Sequence, residues 1–452
     1  MGKLIIIVTA AVLTGCMVGP NYQRPKVSSP PHFRAADEQP SQASLGDVKW
    51  FNLFEDQVLR DLIKEALQAN YDVRIAAQRV VEAESRVTAT RSALSPQMNL
   101  QADANRMGFN SPLQSTGRGF GIATWEIDLF GKLRRMTEAA RAEFLASADN
   151  QKAVMQSLVS EVASAYFDLR EYDAELEYVR ESIASRRESL NLVSARLDGG
   201  VANMVEVDQA KSLVASAEAT ATLLERAQEQ TENLISYLLG RPPGAVTRGL
   251  SLVNQPIPVE VPAGIPSALL ERRPDLRQAE QLLVAANARI GVAKSAFFPS
   301  ISLTGASGYQ SADLLGVVSR SGGGYALGGM VDLPFFDLGR RRANYTASKA
   351  QHQALLIGYE KAINGAFRDV SDALVGYSKT REYTTSVELF AVTLRDQSRI
   401  ANARYVGGVS SYLEVLDTER QRLTAEQQLA QAQRDVLTSL VRLYKSLGGG
   451  WE

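Results

Sequence analysis

The chain has little cysteine and histidine, no excess of charge of either sign, and no long uninterrupted apolar run. Its 452 residues include one Cys and two His, which excludes an internal disulfide and a Cys/His zinc cluster. The 49 Lys and Arg residues oppose 50 Asp and Glu residues, whereas a nucleic-acid-binding protein usually has a basic excess. No uncharged apolar run reaches the roughly 18 residues of a spanning helix, which excludes a polytopic inner-membrane protein. The composition leaves a large globular, coiled-coil or β-barrel protein.

The amino terminus has the pattern of an export signal. Lys3 precedes an apolar stretch, residues 4–13, that is too short to span a bilayer. The tetrapeptide that follows, Leu13 to Cys16, resembles the bacterial lipobox, which implies cleavage before Cys16 and a lipid on its thiol. An ordinary signal peptide with an incidental Cys is the alternative. Met17, rather than Asp, follows Cys16 and favours the outer membrane. We expect a signal peptide at 1–15, an acylated extended linker at 16–55, and no cofactor other than the lipid.

The rest of the chain is an internal repeat. Residues 92–96 match 295–299 at a separation of 203 residues, and residues 196–201 match 404–409 at a separation of 208. A nearly constant separation over more than 100 residues indicates one structural unit that occurs twice. We assign the repeats to 56–240 and 265–448, with a linker at 241–264. Five extra residues of the second copy fall between residue 299 and about residue 339, and we place them in the connecting loop at 310–324.

Each repeat begins with a predicted β-hairpin, at about 97–130 and about 299–337. After Pro96, apolar and polar residues alternate, which indicates a strand with one apolar face. The segments 108–119 and 310–324 are rich in Gly and Ser and are predicted to be the hairpin loops. A soluble sheet would fit equally well. A membrane barrel is favoured by aromatic residues that cluster near the strand ends: Trp125, Phe130, Phe335 and Phe336.

Long helices follow each hairpin. No Pro or Gly occurs between Leu133 and Arg196, and apolar residues in this segment recur with heptad spacing. The expected seam residues are Leu158, Val162, Ala165, Leu169, Tyr172, Leu176, Val179 and Ile183 on the outgoing helix, and Leu213, Ala217, Leu224, Thr231, Leu234 and Leu238 on the returning helix. We predict helical hairpins at about 131–240 and about 339–448, each about 90–100 Å long at the helical rise of 1.5 Å per residue.

Four strands cannot close a barrel, and an open sheet edge in lipid leaves backbone groups unpaired. If the hairpins are membranous, several chains must therefore share one barrel. Three chains would supply 12 strands and 12 long helices, but the sequence alone requires closure and does not fix the number three.

Four segments, taken together, resemble the TolC-like outer-membrane efflux factors, specifically the lipoproteins that serve resistance-nodulation-division pumps: 16–25, 336–341, 404–408 and 415–417. The resemblance implies a trimeric 12-stranded β-barrel continuous with a 12-helix periplasmic barrel. It also implies passive conduction of drugs or other small toxic compounds. The implied partners are two further copies of the chain, a periplasmic adaptor protein and an inner-membrane pump.

The resemblance also implies two sets of functional residues. The hairpin tips would contact the adaptor: Gly199, Gly200, Val201, Gly407, Gly408 and Val409. The narrow periplasmic aperture would be formed by Leu413, Glu414, Asp417, Arg420, Tyr405 and Glu206. A ring of carboxylates at a constriction would select cations, and ion pairs between neighbouring hairpins would hold it shut. Ordinary solvated charges on long helices are the alternative.

No catalytic site is expected. The glycines at 117, 119 and 121 fall in a predicted loop that opens no helix, and His352 lies in a helix without ligand partners. The carboxylates fall on coiled-coil faces, where solvated charge is the usual role. Two other functions stay open on the residues alone: the exit duct of a type I protein-secretion system, and a coiled-coil scaffold that forms no channel.

Overall fold

A computed structural model describes residues 17–27, 29–33, 43–107, 114–257, 261–311 and 323–451. The helices are α1 Trp50–Leu53, α2 Gln57–Ala69, α3 Tyr71–Ser92, α4 Lys132–Asp198, α5 Met204–Leu238, α6 Leu269–Arg272, α7 Pro274–Ser295, α8 Arg340–Val406 and α9 Tyr412–Ser446. The strands are β1 Gln97–Met107, β2 Gln114–Ile127, β3 Ser300–Ser311 and β4 Gly323–Asp332. Short 3-10 turns occupy Leu45–Asp47, Leu252–Asn254 and Pro266–Ala268.

The chain forms two compact units. The first contains the described residues of Met1–Val27, Ala77–Asp149 and Leu276–Ala362, and the second those of Ser28–Ala76, Asn150–Asp275 and Ile363–Glu452. No helix within the described ranges combines the length and the apolar character needed to cross a bilayer.

The first unit contains one antiparallel sheet in the order β1-β2-β3-β4. The two hairpins predicted from the alternation are present, and they join through β2 and β3, where Trp125 pairs with Leu303. The outer strands leave apolar side chains uncovered in the single chain: Leu100 on β1 is 92% exposed and Leu327 on β4 is 83% exposed. Because β1 and β4 are both edge strands, the sheet of one chain is open at each side.

The strands extend into the segments that were predicted to be loops. The first loop was expected at 108–119, but β2 already begins at Gln114, and β3 continues to Ser311 inside the second predicted loop. Glycines supply the reason. Gly117 and Gly119 pair with Ala104 and Ala102 across the sheet, so their backbone groups complete the ladder although they resemble loop residues in the sequence. The five extra residues were placed in a loop of which 312–322 lie outside the described residues.

Each hairpin is joined to its long helix by an aspartate. The Asp128 carboxylate accepts hydrogen bonds from the backbone N–H groups of Leu133 and Arg134, at 3.0 and 2.9 Å. Asp337 accepts one from the backbone N–H of Arg341 at 3.1 Å and pairs with its side chain at 2.7 Å. Backbone N–H groups at a helix start lack partners within the helix, so a carboxylate there satisfies them and complements the helix dipole.

The amino-terminal segment is fixed to the first unit by one buried arginine. Arg135 is 1% exposed on its side chain, and its guanidinium donates to the backbone oxygens of Val18 and Gly19 and, at 2.8 Å, to the Asn21 side chain. The backbone N–H of Val18 also donates to the Phe130 oxygen at 3.1 Å. These contacts hold the residues just after Cys16 beside the start of α4.

The long helix predicted from the absence of Pro and Gly is present as α4. The corresponding helix of the second repeat, α8, has the same length of 67 residues. The predicted seam is largely buried, with Val162, Leu169 and Val179 each at 0% exposure. The returning helices α5 and α9 have only 35 residues each. The outgoing helix of each hairpin is therefore about 100 Å long, as expected for the hairpins, but the returning helix is only about 53 Å long. After α5 the chain continues through Leu239 to Gly240, whose φ of 70° ends the helix. Pro242 and Pro243 follow and cannot continue it.

The seam prediction is wrong at Leu234, which is 49% exposed, whereas its neighbour Ile235 is fully buried. Val214 and Ile235, three heptads apart, are both buried, so the seam of α5 runs through positions 214 and 235, one residue after the expected 213 and 234. Apolar positions three or four residues apart both lie on one helix face, so the spacing alone did not separate Leu213 and Leu234 from their neighbours.

Candidate functional site

The two helical hairpins of the second unit end in two turns of the same type. In the first turn, the backbone N–H of Val201 donates to the Arg196 oxygen at 2.9 Å, and in the second, that of Val409 donates to the Arg404 oxygen at 3.0 Å. Gly200 and Gly408 have φ of 72° and 74°, a left-handed conformation that glycine adopts without strain. The predicted tip residues thus form two equivalent helix ends, 208 residues apart.

Both turns present an apolar side chain at the tip. Val201 is 81% exposed and Val409 is 71% exposed. A Cβ atom added at Gly200 or Gly408 would meet no atom within 4 Å, so the glycines are required by backbone conformation and not by crowding. An exposed valine beside an uncrowded glycine leaves both tips accessible for contact in the single chain.

An apolar cluster packs the two hairpins together just behind these turns. Its buried members are Val193, Val207, Ala210, Tyr405, Tyr412 and Val415. The rings of Tyr405 and Tyr412 lie 5.3 Å apart at 56°, and the Tyr405 hydroxyl has no hydrogen-bond partner among the described residues. Burial raises the pKa of Tyr412 to about 12. Tyr405, which the sequence placed in the aperture, is 4% exposed and lies in this cluster.

Arg196 links the first hairpin to the second. Its guanidinium carbon lies 4.3 Å from the centre of the Tyr405 ring, and its Nη2 donates to the backbone oxygens of Tyr405 and Val406, both at 3.2 Å. Those oxygens belong to the last turn of α8, where a positive charge complements the helix dipole. Arg196 was noted in the sequence only as the repeat mate of Arg404, and no pattern indicated this contact.

Three of the other predicted aperture residues lie on one side of α9. Leu413 is 62% exposed, and the side chains of Asp417 and Arg420 are 48% and 70% exposed. Positions 413, 417 and 420 follow helical spacing and share a face, opposite the buried Tyr412 and Val415. We call Leu413, Asp417 and Arg420 the exposed stripe of α9.

The predicted carboxylates make local contacts within the chain. Asp417 pairs with Arg420 at 3.1 Å and accepts from Gln421 at 2.6 Å, both on its own helix. Glu414 lies 3.6 Å from Arg404, across the second turn. Glu206, in the first turn of α5, accepts from Asn203 at 3.4 Å. Glu206 and Glu414 thus occupy equivalent places at the starts of α5 and α9. Among the described residues, Asp417 forms no hydrogen bond or ion pair with the first hairpin.

A buried ion-pair network lies deeper between α8 and α9. Glu419 and Glu426 are 8% and 1% exposed. Arg422 pairs with both, at 3.1 and 3.3 Å, and Arg395 of α8 pairs with Glu426 at 2.9 Å. The network was not predicted, because charged residues on long helices are mostly solvated. Its signal in the sequence is Glu419 and Glu426 at seven-residue spacing, next to the apolar seam.

Comparison with known proteins places the chain in a family. The family model described as "Outer membrane efflux protein" matches residues 62–241 and 265–449. The chain is 35% identical to the probable efflux pump outer membrane protein SepC of Pseudomonas putida over 99% of this chain and 96% of that protein. It is 33% identical to the cation efflux system protein CusC of Escherichia coli over 100% and 99%.

Two solved structures share the fold over nearly the whole chain. The outer-membrane channel OprN gives a TM-score of 0.89 at 29% identity and covers 96% of this chain and 100% of that one. The open-state outer membrane channel MtrE of Neisseria gonorrhoeae gives 0.88 at 32% identity, covering 97% and 99%.

The fold class expected from the sequence is confirmed: a trimeric outer-membrane β-barrel with four strands from each chain, continuous with a periplasmic barrel of helices. The predicted outer-membrane location is confirmed too, as is the predicted role as the channel component of an efflux pump. The chain therefore belongs to the outer membrane efflux protein family.

Proposed function

We propose that the chain is the passive exit duct of a tripartite efflux system, with an aperture at the ends of its helical hairpins. The exposed stripe of α9 carries this proposal. In the single chain, the first turns of α9 expose Leu413, Asp417 and Arg420, whereas Tyr412 and Val415 on the opposite face are buried. Three copies of this stripe, facing one another, would form a ring of carboxylates and guanidinium groups around a constriction. Glu414 and Glu206, next to the turns, would add negative charge nearby.

The proposed partners follow from the rest of the hairpin tips. A periplasmic adaptor would contact the glycine turns and the exposed valines at 201 and 409, and an inner-membrane pump, of the resistance-nodulation-division type, would supply the energy. The duct itself performs no covalent chemistry in this proposal. Relatives are named for toluene efflux and for cation efflux. We propose drugs or other small toxic compounds as the transported class.

We also propose that Cys16 carries a lipid and that this lipid is the only added group. The lipobox pattern of Leu13 to Cys16 supports the lipid, and just after it Arg135 and Phe130 fix residues 18–21 at the strand-to-helix junction. A lipid on Cys16 would then lie within two residues of a fixed backbone. Incorporation of labelled palmitate in the wild type but not in Cys16→Ala is the expected result, and labelling of both would contradict it.

The aperture is tested by single-channel recording of the purified trimer in planar bilayers. We expect small, cation-selective currents in the wild type and larger, more frequent openings in Asp417→Ala, because the ring loses its charge pairs. The matched control is Asp208→Ala. Asp208 is also exposed, on α5, and pairs with Lys211 at 3.6 Å in the same three-residue spacing. An Asp417→Ala trimer that assembles normally and conducts like the Asp208→Ala control would contradict the aperture.

A further inference from the structure

Two glutamates are buried where α4 meets α9 in the second unit. Glu171 and Glu175 lie one turn apart on α4, and each is 3% exposed. Glu171 Oε2 lies 2.7 Å from Arg434 Nε of α9. Glu175 accepts hydrogen bonds from the side-chain amides of Gln431, at 3.0 Å, and Gln427, at 3.5 Å. We call Glu171 and Glu175 the carboxyl pair.

The charges around the carboxyl pair do not balance if every acid is ionised. Arg434 also lies 3.5 Å from Asp168 of α4 and 3.1 Å from Asp435 of α9, so it pairs with three carboxyl groups, and Glu175 is a fourth, one turn from Glu171. Arg442 is a second positive charge that acts on Asp168, and the Tyr172 hydroxyl of α4 faces the same acids. Because buried charge is stable only when it is paired, one arginine cannot neutralise Glu171 and Glu175 together.

The surroundings of the carboxyl pair favour a proton on Glu171. The Glu175 oxygens accept from two side-chain amides, which stabilise its ionised form, whereas Glu171 forms an ion pair with an arginine that also pairs with Asp168 and Asp435. An ionised Glu171 one turn from an ionised Glu175 would therefore add a second negative charge to a buried contact. Burial raises the pKa of Glu171 to about 7, and it raises the pKa of Glu175 as well.

We propose that the carboxyl pair is a proton-binding site that couples pH to the packing of α9 on α4. Loss of the proton would place two negative charges in the buried contact, where, among the described residues, only the Arg434 guanidinium pairs with Glu171. Since α9 begins with the exposed stripe, weaker packing along α9 would give the proposed aperture more freedom to open. The last step rests on the proposed function, whereas the proton-binding site does not.

The direction with pH follows from the pKa values. In the packed state Glu171 titrates near 7, whereas an exposed Glu titrates near 4.5. Packing is therefore most stable below pH 4.5 and weakens as the pH rises through 7. The opening equilibrium of the contact should rise by up to about tenfold for each pH unit between these values and then level off, because one proton per chain is released on opening.

The test is Glu171→Gln in the full-length trimer, because the amide is uncharged and has nearly the shape of the protonated acid. The control is Glu177→Gln, an exposed residue on the same helix. Infrared difference spectra should show a protonated carboxyl that titrates near pH 7 in the wild type and the control and is absent in Glu171→Gln. Hydrogen exchange in α9, corrected for intrinsic rates, should show the pH-dependent opening in the wild type and in Glu177→Gln. It should not show it in Glu171→Gln.

The outcomes separate the two proposals. An infrared band or an exchange slope that persists in Glu171→Gln overturns the proton-binding site. If both disappear as expected, single-channel recording decides the coupling: the wild type should open more often at pH 8 than at pH 6, and Glu171→Gln should not respond. A wild-type open probability that is independent of pH overturns the coupling to the aperture while the proton-binding site stands. If neither the wild type nor any variant conducts, the proposed aperture is overturned, and the infrared result still decides the proton-binding site.

Discussion

Replacing Arg196 by Gln should loosen the contact between the two helical hairpins at their tips. The guanidinium contributes two hydrogen bonds, both at 3.2 Å, to the last carbonyl oxygens of α8 and lies 4.3 Å from the Tyr405 ring. Solvent weakens each of these interactions, because the Arg196 side chain is only half-buried. Together with the helix dipole they stabilise the contact by about 1–2 kcal/mol per chain.

A loss of this size changes an opening equilibrium by a factor of about 5 to 30. Single-channel recording of the Arg196→Gln trimer should therefore show an open probability raised by that factor. Amide exchange of the last turn of α8, residues 403–406, should accelerate to a similar extent. Glutamine keeps one amide donor but removes the charge and the ring contact, so the variant should still fold and assemble.

The control is Arg187→Gln on the same helix. Arg187 pairs with Glu218 at 2.6 Å, but both side chains are well exposed, at 62% and 46%, and the pair lies within the first hairpin. A surface pair of this kind stabilises by about 0–1 kcal/mol and does not join the hairpins. If Arg196→Gln and Arg187→Gln change conductance and exchange equally, the hairpin link is refuted.

Three further changes test individual positions. Tyr405→Phe removes a buried hydroxyl that lacks a partner among the described residues, so thermal stability should be kept or rise by up to about 1 kcal/mol, and a leaky channel would show instead that the hydroxyl holds the aperture. Asp56→Asn should lower stability by about 2–4 kcal/mol at pH 7, because the carboxylate accepts from Tyr166 at 2.8 Å and from four further donors. Burial opposes ionisation of Asp56, but these hydrogen bonds outweigh it and lower its pKa. Its contribution is therefore present above the ordinary Asp pKa and lost in acid, and thermal melts of the Asn variant should lose that acid dependence. Gly408→Ala should cost about 1 kcal/mol from its left-handed backbone, whereas Gly244→Ala, equally uncrowded without a positive φ, should be neutral; equal melting temperatures would contradict the turn argument.

Local pattern was enough to predict the main elements. Alternation after Pro96 indicated a strand, and β1 begins at Gln97; the Pro- and Gly-free run indicated a long helix, and α4 covers it. Both signals arise within one element, since side-chain direction follows the period of the backbone. The helices α3 and α7 were not predicted. Their charged and apolar residues show weak periodicity, and only Val73 and Ala76 of α3 are buried within the chain.

The contacts of the candidate site could be predicted only in part. The double-glycine turns were identified from the repeat, and the exposure of Leu413, Asp417 and Arg420 agrees with a place on an open surface. Tyr405 was expected beside them, but position 405 faces the first hairpin. Which side of a helix is covered depends on the neighbouring helix, and the sequence of one helix does not identify that neighbour.

The sequence by itself determined the repeat, the strands, the long helices, the turns and the need for several chains, because these follow from period, composition and the cost of unpaired backbone in lipid. The tertiary structure decided which charges are buried. Arg196 over Tyr405, Arg135 around residues 18–21, and Glu171 with Glu175 against Arg434 all join segments that are far apart in the chain. Burial and pairing depend on the distance between such segments after folding, and that distance changes the ionisation and strength of each group.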